Sequence, residues 1–338
     1  MAFGSVYAVD GSELTGPVLR AQLQSATRAG EGIIEYGDLR VRELAVPGTS
    51  VRVASGSCVI RGKEVSFQGS YYGTNFGEEN IEIPETGASP RSDMIVAQVE
   101  DPTISGSPWG HDPATEPLVY IRRIPGVPST ATTIAQTSQP GITAIPLARI
   151  DLPASTGTVV QARIVDLRQM MDERSKVVMR VQRGVSPIDY AGNITSPDFE
   201  NWPDLVWTDV DVPSWATQVQ IDAIWGQCGF FPDDKAGGSG STDARGQARV
   251  SLGVTGNVVR SDWSAYNFNE MSPTNGTREV IVNFDQVNIP AAMRGITTSL
   301  QMQVSGDPDA RGRLRADGSS NFRVTLNFLE RPVVNVDA

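Results

Sequence analysis

Apolar and polar residues alternate regularly along the second half of the chain. Apolar side chains recur at every second position in short segments after Lys176, and a period of two is typical of antiparallel strands with one buried face. In the segment 280–284 the pattern predicts that Val280, Val282 and Phe284 face the core. The segments are 177–181, 206–212, 219–225, 250–254, 280–284, 300–304 and 322–328. Without helical patterns between them, they predict an antiparallel β-sandwich over residues 176–338, similar to a jelly roll.

The first half is also rich in strand patterns but contains one helix. Pro17 suits a first helical turn after a Thr15 cap, and Leu19 and Leu23 share one face until Gly30 ends the pattern. Loops rich in Pro, Gly and Ser separate the strands. The predicted strands are 50–55, 81–83, 94–99, 118–121 and 145–152. We therefore expect a mainly β N-terminal domain, residues 1–168, with one short helix.

The segment between the halves is charged, with a small apolar patch formed by Leu167, Met170 and Met171. This pattern predicts a short helical linker over residues 169–175. The C-terminal sandwich domain then covers residues 176–338.

Composition excludes several classes of function. The 338 residues carry a net charge of −11 without a basic cluster, which argues against nucleic acid as a partner. No apolar run approaches the roughly 18 residues of a membrane helix, and no signal peptide is visible, so we expect synthesis in a cytoplasm and no membrane insertion. Cys58 and Cys228 lie far apart in the sequence and are expected to be buried free thiols.

Reactive groups are scarce. His111 is the single histidine, so a Ser or Cys triad needs this imidazole, and it lies in a Pro/Gly-rich loop. The segment 307–318 begins like a calcium loop, but Arg311 and Gly318 occupy positions that need oxygen ligands. We expect no catalytic residue, no metal and no cofactor. A glycosidase with two carboxylates stays open, because the chain has 39 acidic residues to supply a pair.

Aromatic residues suggest a binding surface in the second half, which holds five of the six tryptophans. Trp207 has the opposite parity to the apolar residues of its strand, and Trp263, Tyr266 and Phe268 lie in a polar stretch. Exposed aromatic rings stack on sugars, so these four residues are candidates for glycan or partner binding. Packing in the core or at a subunit interface is the alternative.

A short sequence repeat adds two arginines to the candidates. Arg245 and Arg311 each lie in a D-A-R-G-x-x-R motif within a polar stretch before a strand. If both stretches emerge at one end of the sandwich, the guanidinium groups could bind carboxylates or phosphates in a bidentate manner. Chance similarity of loop composition is the alternative.

Three stretches of the first half resemble a known family. They are DLRVRELAVPGTSVRVASGSCVIRG at 38–62, IEIPETGASPRSDMIVAQVEDP at 81–102, and a third at 145–168 that ends in ARIDLPASTGTVVQARIVDLR. Together they resemble the domain at the start of minor tail and baseplate proteins of tailed bacteriophages, particularly those of actinobacteria. The most specific part is PRSDMIVAQVEDP. Its turn at Pro90 can lead into a buried strand, with Arg91 and Asp93 as a structural ion pair.

The resemblance implies a structural virion protein. Its N-terminal domain would attach to other tail or baseplate proteins, its C-terminal domain would face outward, and the subunits would form homotrimers or rings. The chain departs from the family after Arg168, since it has no collagen-like repeat, no long coiled coil and no recognisable hydrolase. A receptor-binding module that recognises a host surface glycan is the alternative function.

Overall fold

The computed structural model describes residues 10, 14–104, 109–191, 198–232, 244–254, 256–268, 278–307 and 312–332. The chain forms two compact units, unit 1 over Met1–Glu173 and unit 2 over Arg174–Ala338. The prediction of a mainly β protein with one α-helix is confirmed.

Unit 1 contains three small antiparallel sheets and the helix α1, Gly16–Ala26. Its strands are β1 Gly32–Ile33, β2 Val41–Glu43, β3 Ser50–Val53, β4 Gly56–Arg61, β5 Ser70–Asn75, β6 Glu79–Glu82, β7 Arg91–Val99, β8 Val119–Val127, β9 Ala144–Leu152 and β10 Ile164–Asp166. The sheet orders are β1-β4-β5, β2-β3-β6 and β10-β9-β7-β8.

An arginine, rather than an apolar face, attaches helix α1 to the sheets. Leu19 is largely exposed, and the Thr15 side chain makes no capping hydrogen bond with the described residues. Arg20 Nε donates to the Gln68 carbonyl at 2.8 Å, and Arg20 Nη1 lies 3.3 Å from Asp101 Oδ2. Polar contacts therefore hold a helix that buries no residue completely.

Strand β7 is the most deeply buried strand of unit 1, because β8 and β9 flank it and all its residues after Arg91 are buried. Asp93 is fully buried at its start. Its carboxylate accepts hydrogen bonds from Arg91 Nε at 2.9 Å, Arg123 Nη1 at 3.0 Å and the Gly126 amide at 3.0 Å. The expected Arg91–Asp93 ion pair is present, and the motif that contains it stabilises the fold.

The predicted helical linker over 169–175 is wrong. The chain is extended beside β1, where the amide of Ile33 donates to the Gln169 carbonyl and the amide of Met171 donates to the Ile33 carbonyl, both at 2.9 Å. Arg168 is buried and donates to the carbonyl of Asp38 at 2.7 Å. Backbone pairing and a buried guanidinium thus decide a conformation that the local charge pattern does not reveal.

In the part of unit 2 that the structure describes, strands are connected by loops and one short 3₁₀ turn, Ala291–Met293. The strands are β11 Ser175–Arg183, β12 Asp189–Tyr190, β13 Glu200–Asp211, β14 Gln218–Pro232, β15 Ala244–Val254, β16 Asn257–Arg260, β17 Ser264–Phe268, β18 Glu279–Asn288, β19 Thr297–Gly306, β20 Gly312–Ala316 and β21 Asn321–Leu329.

These strands form two antiparallel sheets with the order of a jelly roll. One sheet runs β11-β21-β14-β18, and β20 and β12 extend it from the end of β14. The other sheet runs β13-β19-β15, with β16 and β17 side by side on the outer edge of β15. Because the chain crosses repeatedly between the sheets, neighbouring strands are mostly distant in sequence, as in a double Greek key.

The parity of two strands in unit 2 differs from the prediction. In β13 a register shift between Trp207 and Val210 turns Trp207 toward the core and leaves Val206 partly exposed. In β18 the buried positions are Ile281 and Asn283, whereas Val280, Val282 and Phe284 face solvent. The register shift explains the error in β13, and the buried polar residue Asn283 explains the error in β18.

The Asp93→Ala substitution should destabilise unit 1 by about 3–5 kcal/mol, because it leaves two arginines and an amide without their buried acceptor. Urea denaturation followed by circular dichroism measures the free energy of unfolding of this unit. The exposed Glu82→Ala is the control and should change it by less than about 0.5 kcal/mol. A loss below about 1 kcal/mol for Asp93→Ala would contradict the structural role of the motif.

Candidate functional site

An open groove of about 470 Å³ lies at one end of the outer face of the β13-β19-β15-β17 sheet. Three neighbouring strands form it, with β15 in the centre, β17 on one side and β19 on the other. Its lining residues are Arg245, Gly246, Gln247, Trp263, Ala265, Tyr266, Asn267, Ser305, Gly306 and Asp307. Four of these residues are Gly, Ala or Ser, and their small size keeps the floor of the groove open.

Gly246 allows the three strands to come close together. The Tyr266 hydroxyl donates to the Ser305 carbonyl at 3.0 Å, passing beside Gly246. A Cβ atom at position 246 would lie 1.9 Å from the Ser305 carbonyl oxygen and 2.6 Å from the Tyr266 hydroxyl oxygen. Only glycine fits at position 246. The Tyr266 side chain holds the floor of the groove from the core side and does not fill its opening.

Trp263 lies at the rim of the groove and is 56% exposed. The chain on both sides of it is held by Asn283, a buried residue of the opposite sheet. Asn283 Nδ2 donates to the Asp262 carbonyl at 2.7 Å and to Ser264 Oγ at 3.0 Å, and Ser261 Oγ donates to Asn283 Oδ1 at 2.7 Å. An exposed indole on a backbone fixed in this way is a preorganised flat apolar surface.

Polar groups of both charges face the same opening. Arg245 Nε lies 3.4 Å from Asp307 Oδ2, and the Asp307 amide donates to the Arg245 carbonyl at 2.9 Å. Gln247 and Asn267 add amide groups that can donate and accept. An aromatic surface beside a few polar groups suits a neutral ligand rich in hydroxyl groups.

The polar surface continues along the sheet beyond the groove. Arg249 Nε donates to Gln303 Oε1 at 2.9 Å, and Gln303 Nε2 donates to Asn201 Oδ1 at 3.2 Å. The Arg249 guanidinium lies over the ring of Phe199 at 3.8 Å from its centre. A ligand longer than the groove would therefore meet further ordered side chains.

The groove brings together three of the six residues proposed from sequence, Arg245, Trp263 and Tyr266. Tyr266 is largely buried, so it supports the floor of the groove and does not offer an exposed ring. Its hydroxyl group donates a hydrogen bond to the Ser305 carbonyl. Phe268 is buried in the core, and Trp207 packs partly buried against it, so neither ring is available as a sugar platform. Arg311 lies outside the described residues.

Sequence reasoning missed the polar part of the groove. No motif marks Gln247, Asn267 or Asp307 as binding residues. They come together only because β15 pairs with both β17 and β19. The sequence offers one signal that could have pointed to this region, the polar residue Asn283 within the apolar segment 280–284. Buried amides need partners, so this residue points to an adjacent segment that must be held.

His111 lies between two glutamates in unit 1. Its Nε2 is 2.6 Å from Oε2 of the buried Glu100, and its Nδ1 contacts the Glu116 carboxylate. Arg122 Nε also donates to Glu100, at 2.8 Å. The hydrogen bond to Glu100 raises the pKa of His111, partial burial opposes this effect, and Glu116 raises the pKa further. These contacts tie the imidazole to the loop around it.

Other reactive groups are inaccessible or dispersed. Cys58 and Cys228 are buried free thiols, as expected, and burial raises the pKa of each to about 12. Within the described ranges, no three His, Cys, Asp or Glu side chains are grouped so that they could hold a metal ion. Nor does any helix in those ranges have the length and apolarity to cross a membrane.

Comparison with known proteins gives weak similarities only. Neither a protein-family model nor a curated protein sequence matches the chain. The VP2 subviral particle of infectious bursal disease virus aligns with 95% of this chain and 84% of its own, at 12% identity and a TM-score of 0.26. The stem and receptor-binding domain of spike protein P1 from bacteriophage PM2 aligns with 85% of this chain and 100% of its own, at 10% identity and a TM-score of 0.22.

A carbohydrate-binding module of the β-sandwich superfamily aligns with 87% of this chain and 93% of its own, at 10% identity and a TM-score of 0.17. The similar structures thus include viral particle proteins and a sugar-binding module. At these scores they carry no functional conclusion for this chain, because unrelated functions share such folds.

The His111 imidazole should titrate above its ordinary pKa of 6.5, because both carboxylates favour the protonated ring. A raised folded-state pKa stabilises the protein fully below pH 6.5, and this contribution is lost as the pH rises through the folded value. NMR titration of the single histidine measures the midpoint without ambiguity of assignment. Glu116→Gln should lower the midpoint, whereas a wild-type value at or below 6.5 would show that the glutamates do not act as described.

Proposed function

We propose that this chain is a structural component of a bacteriophage virion, a minor tail or baseplate subunit made in the host cytoplasm. Unit 1 attaches to other tail or baseplate proteins, and unit 2 displays its jelly-roll sandwich outward. The chain works through the shape of rigid sheets and is not an enzyme.

The observation that carries this proposal is the position of the most specific resembling segment. PRSDMIVAQVEDP contains β7, which is buried between β8 and β9. The other two segments contribute β2, β3, β4, β9 and β10. The resemblance therefore lies in residues that determine the fold of unit 1, which supports a fold shared with the tail proteins. Buried cysteines and an ion-paired histidine agree with a role without covalent chemistry.

The groove favours a second function within the same role, the recognition of a host surface glycan. Trp263 offers a flat apolar surface, and Gln247 and Asn267 offer amide groups beside it. Sugar rings present an apolar face and a rim of hydroxyl groups, which these two kinds of side chain complement. Arg245 adds a positive charge for an acidic sugar, shared with Asp307.

An antibody against this chain should label the tail or baseplate in negative-stain images of virions. The expectation follows from attachment through unit 1, which places one or more copies at a fixed position on the particle. Virions from which the gene has been deleted are the control for antibody specificity. Labelling of the capsid alone, or intact virions without this chain, would rule out the tail role.

Trp263→Ala should weaken binding of the full chain to a host glycan by at least about tenfold, a loss of about 1.4 kcal/mol. The cause is removal of the exposed stacking surface while the groove floor stays intact. A glycan array with host envelope polysaccharides measures it, with Phe76→Ala, an exposed aromatic residue of unit 1, as the matched control. Equal binding by both variants, or no binding by the wild type, would argue against a glycan site. Release of reducing ends would instead indicate a glycosidase.

A further inference from the structure

Arg249 is an ordered cation on the outer face of the β13-β19-β15-β17 sheet, beyond the end of the groove. Its Nε donates to Gln303 Oε1 at 2.9 Å, and its Cζ lies 3.8 Å from the centre of the Phe199 ring. Gln303 is fixed in turn, because its Nε2 donates to Asn201 Oδ1 at 3.2 Å. The guanidinium group is therefore held at Nε and along one face before any ligand binds.

The two terminal nitrogens of this guanidinium form a free edge. In the part of the chain that the structure describes, Nε is the only nitrogen of the Arg249 side chain that makes a hydrogen bond, so Nη1 and Nη2 have no partner there. Parallel N–H donors in a rigid guanidinium match the two oxygens of a carboxylate or of a phosphate. The free edge of Arg249 thus has the geometry of a binding position for an oxyanion.

The charge of Arg249 is not balanced by an ion pair with any carboxylate of the described residues. Burial lowers the pKa of Arg249, and the positive charge of Arg260 on the neighbouring β16 lowers it further. Both effects disfavour the charged guanidinium, yet an arginine keeps its charge at neutral pH. An anion on the free edge would offset this cost. Arg245 in the groove differs, because it shares its charge with Asp307.

The register of the sheet places Arg249 and Trp263 at the same level. Trp263 directly precedes Ser264, the partner of Ala248 in β15, so its backbone lies near that of Arg249 on the β17 side. The Arg249 guanidinium lies in the other direction, across β19 and over Phe199, which directly precedes β13. Three strand spacings, about 14 Å, separate the backbone of Trp263 from that of Phe199. A ligand that contacts both the indole and the guanidinium therefore crosses the strands and is longer than one sugar ring.

The overall charge of the protein makes such a position selective. The chain has a net charge of −11, so its surface as a whole repels an acidic polymer. Attraction of an acidic polymer to unit 2 must therefore come from a local, oriented cation. Arg249 is such a cation, and it lies on the same face as the groove.

From these contacts we infer that Arg249 is the anion-binding position of an extended glycan site and that the glycan is acidic. One sugar ring stacks on Trp263, and a carboxylate or phosphate of another unit of the same polymer binds the free edge of Arg249. The groove, where Asp307 balances Arg245, accepts neutral hydroxyl groups. The inference rests on the proposed recognition of a host glycan and adds the class of glycan that the site selects.

A thermodynamic cycle between protein and polysaccharide tests the inference. The full chain and its Arg249→Ala variant are titrated with host envelope polysaccharide, in its native form and after removal of acidic groups. Carbodiimide activation and borohydride reduce the carboxylates, and hydrofluoric acid releases phosphate. Arg249→Ala should weaken binding to the native form by at least about tenfold, because charge-assisted hydrogen bonds are lost. It should have no effect on the form that lacks the bound anion, and the treatment that removes the effect identifies carboxylate or phosphate.

Three further variants serve as controls. Arg323→Ala, on the outer face of the other sheet, also removes one positive charge and should bind the native polysaccharide as the wild type does. Arg249→Lys keeps the charge without the rigid pair of donors and should recover only part of the affinity. Arg249→Gln keeps a polar side chain beside Gln303 and replaces Arg249→Ala if circular dichroism shows that the latter does not fold.

The outcomes separate the anion position from the glycan site itself. Wild-type affinity of Arg249→Ala, or an equal loss on native and acid-free polysaccharide, would overturn the inference. So would wild-type binding that neither chemical treatment weakens. In each of these cases a loss of binding by Trp263→Ala would leave the glycan site standing. Absence of wild-type binding to any host polysaccharide would defeat both the anion position and the glycan site.

Discussion

The buried amide of Asn283 determines much of what unit 2 presents to solvent. It lies in β18 and bonds to the segment before β17, which belongs to the opposite sheet. A buried amide without partners would cost about 1–3 kcal/mol, so the register with Asn283 inside is strongly preferred. Side chains alternate along a strand, and therefore Val282 and Phe284 must point outward. One hydrogen-bonded side chain thus orients both the segment that carries Trp263 and the exposed apolar side chains of β18.

The same residue explains how far the sequence could predict this structure. Period-two patterns located most strands of unit 2 and the sandwich class, because burial on one face is encoded locally. The patterns gave the wrong buried face for β18, because Val280, Val282 and Phe284 look like core residues and Asn283 looks like a surface residue. The orientation of Trp207 was also predicted wrongly, because the alternation pattern does not reveal the register shift in β13. The groove could not be predicted from the alternation pattern, because it forms where strands that are far apart in the sequence pair with one another.

Unit 1 shows how a distinctive sequence segment can reflect folding rather than chemistry. Asp93 lies near the start of β7 and Glu100 directly follows its end. Both are buried carboxylates held by arginines, Arg91 and Arg123 for Asp93 and Arg122 for Glu100. Buried charges are tolerated only when they are paired and hydrogen-bonded, so these positions restrict which residues can occupy them. The residue types in PRSDMIVAQVEDP are thus explained by the requirements of a buried strand, without a catalytic role.

The two sheets of unit 2 give it two outer faces of different chemistry. The groove with Trp263 lies on the face of the β13-β19-β15-β17 sheet, and exposed apolar side chains of β11 and β18 lie on the face of the β11-β21-β14-β18 sheet. Packed sheets place these faces back to back, with a core of about 10 Å between the sheets. The groove therefore opens on the side of unit 2 that faces away from the exposed apolar side chains of β11 and β18. A partner bound to either face would leave the other face accessible.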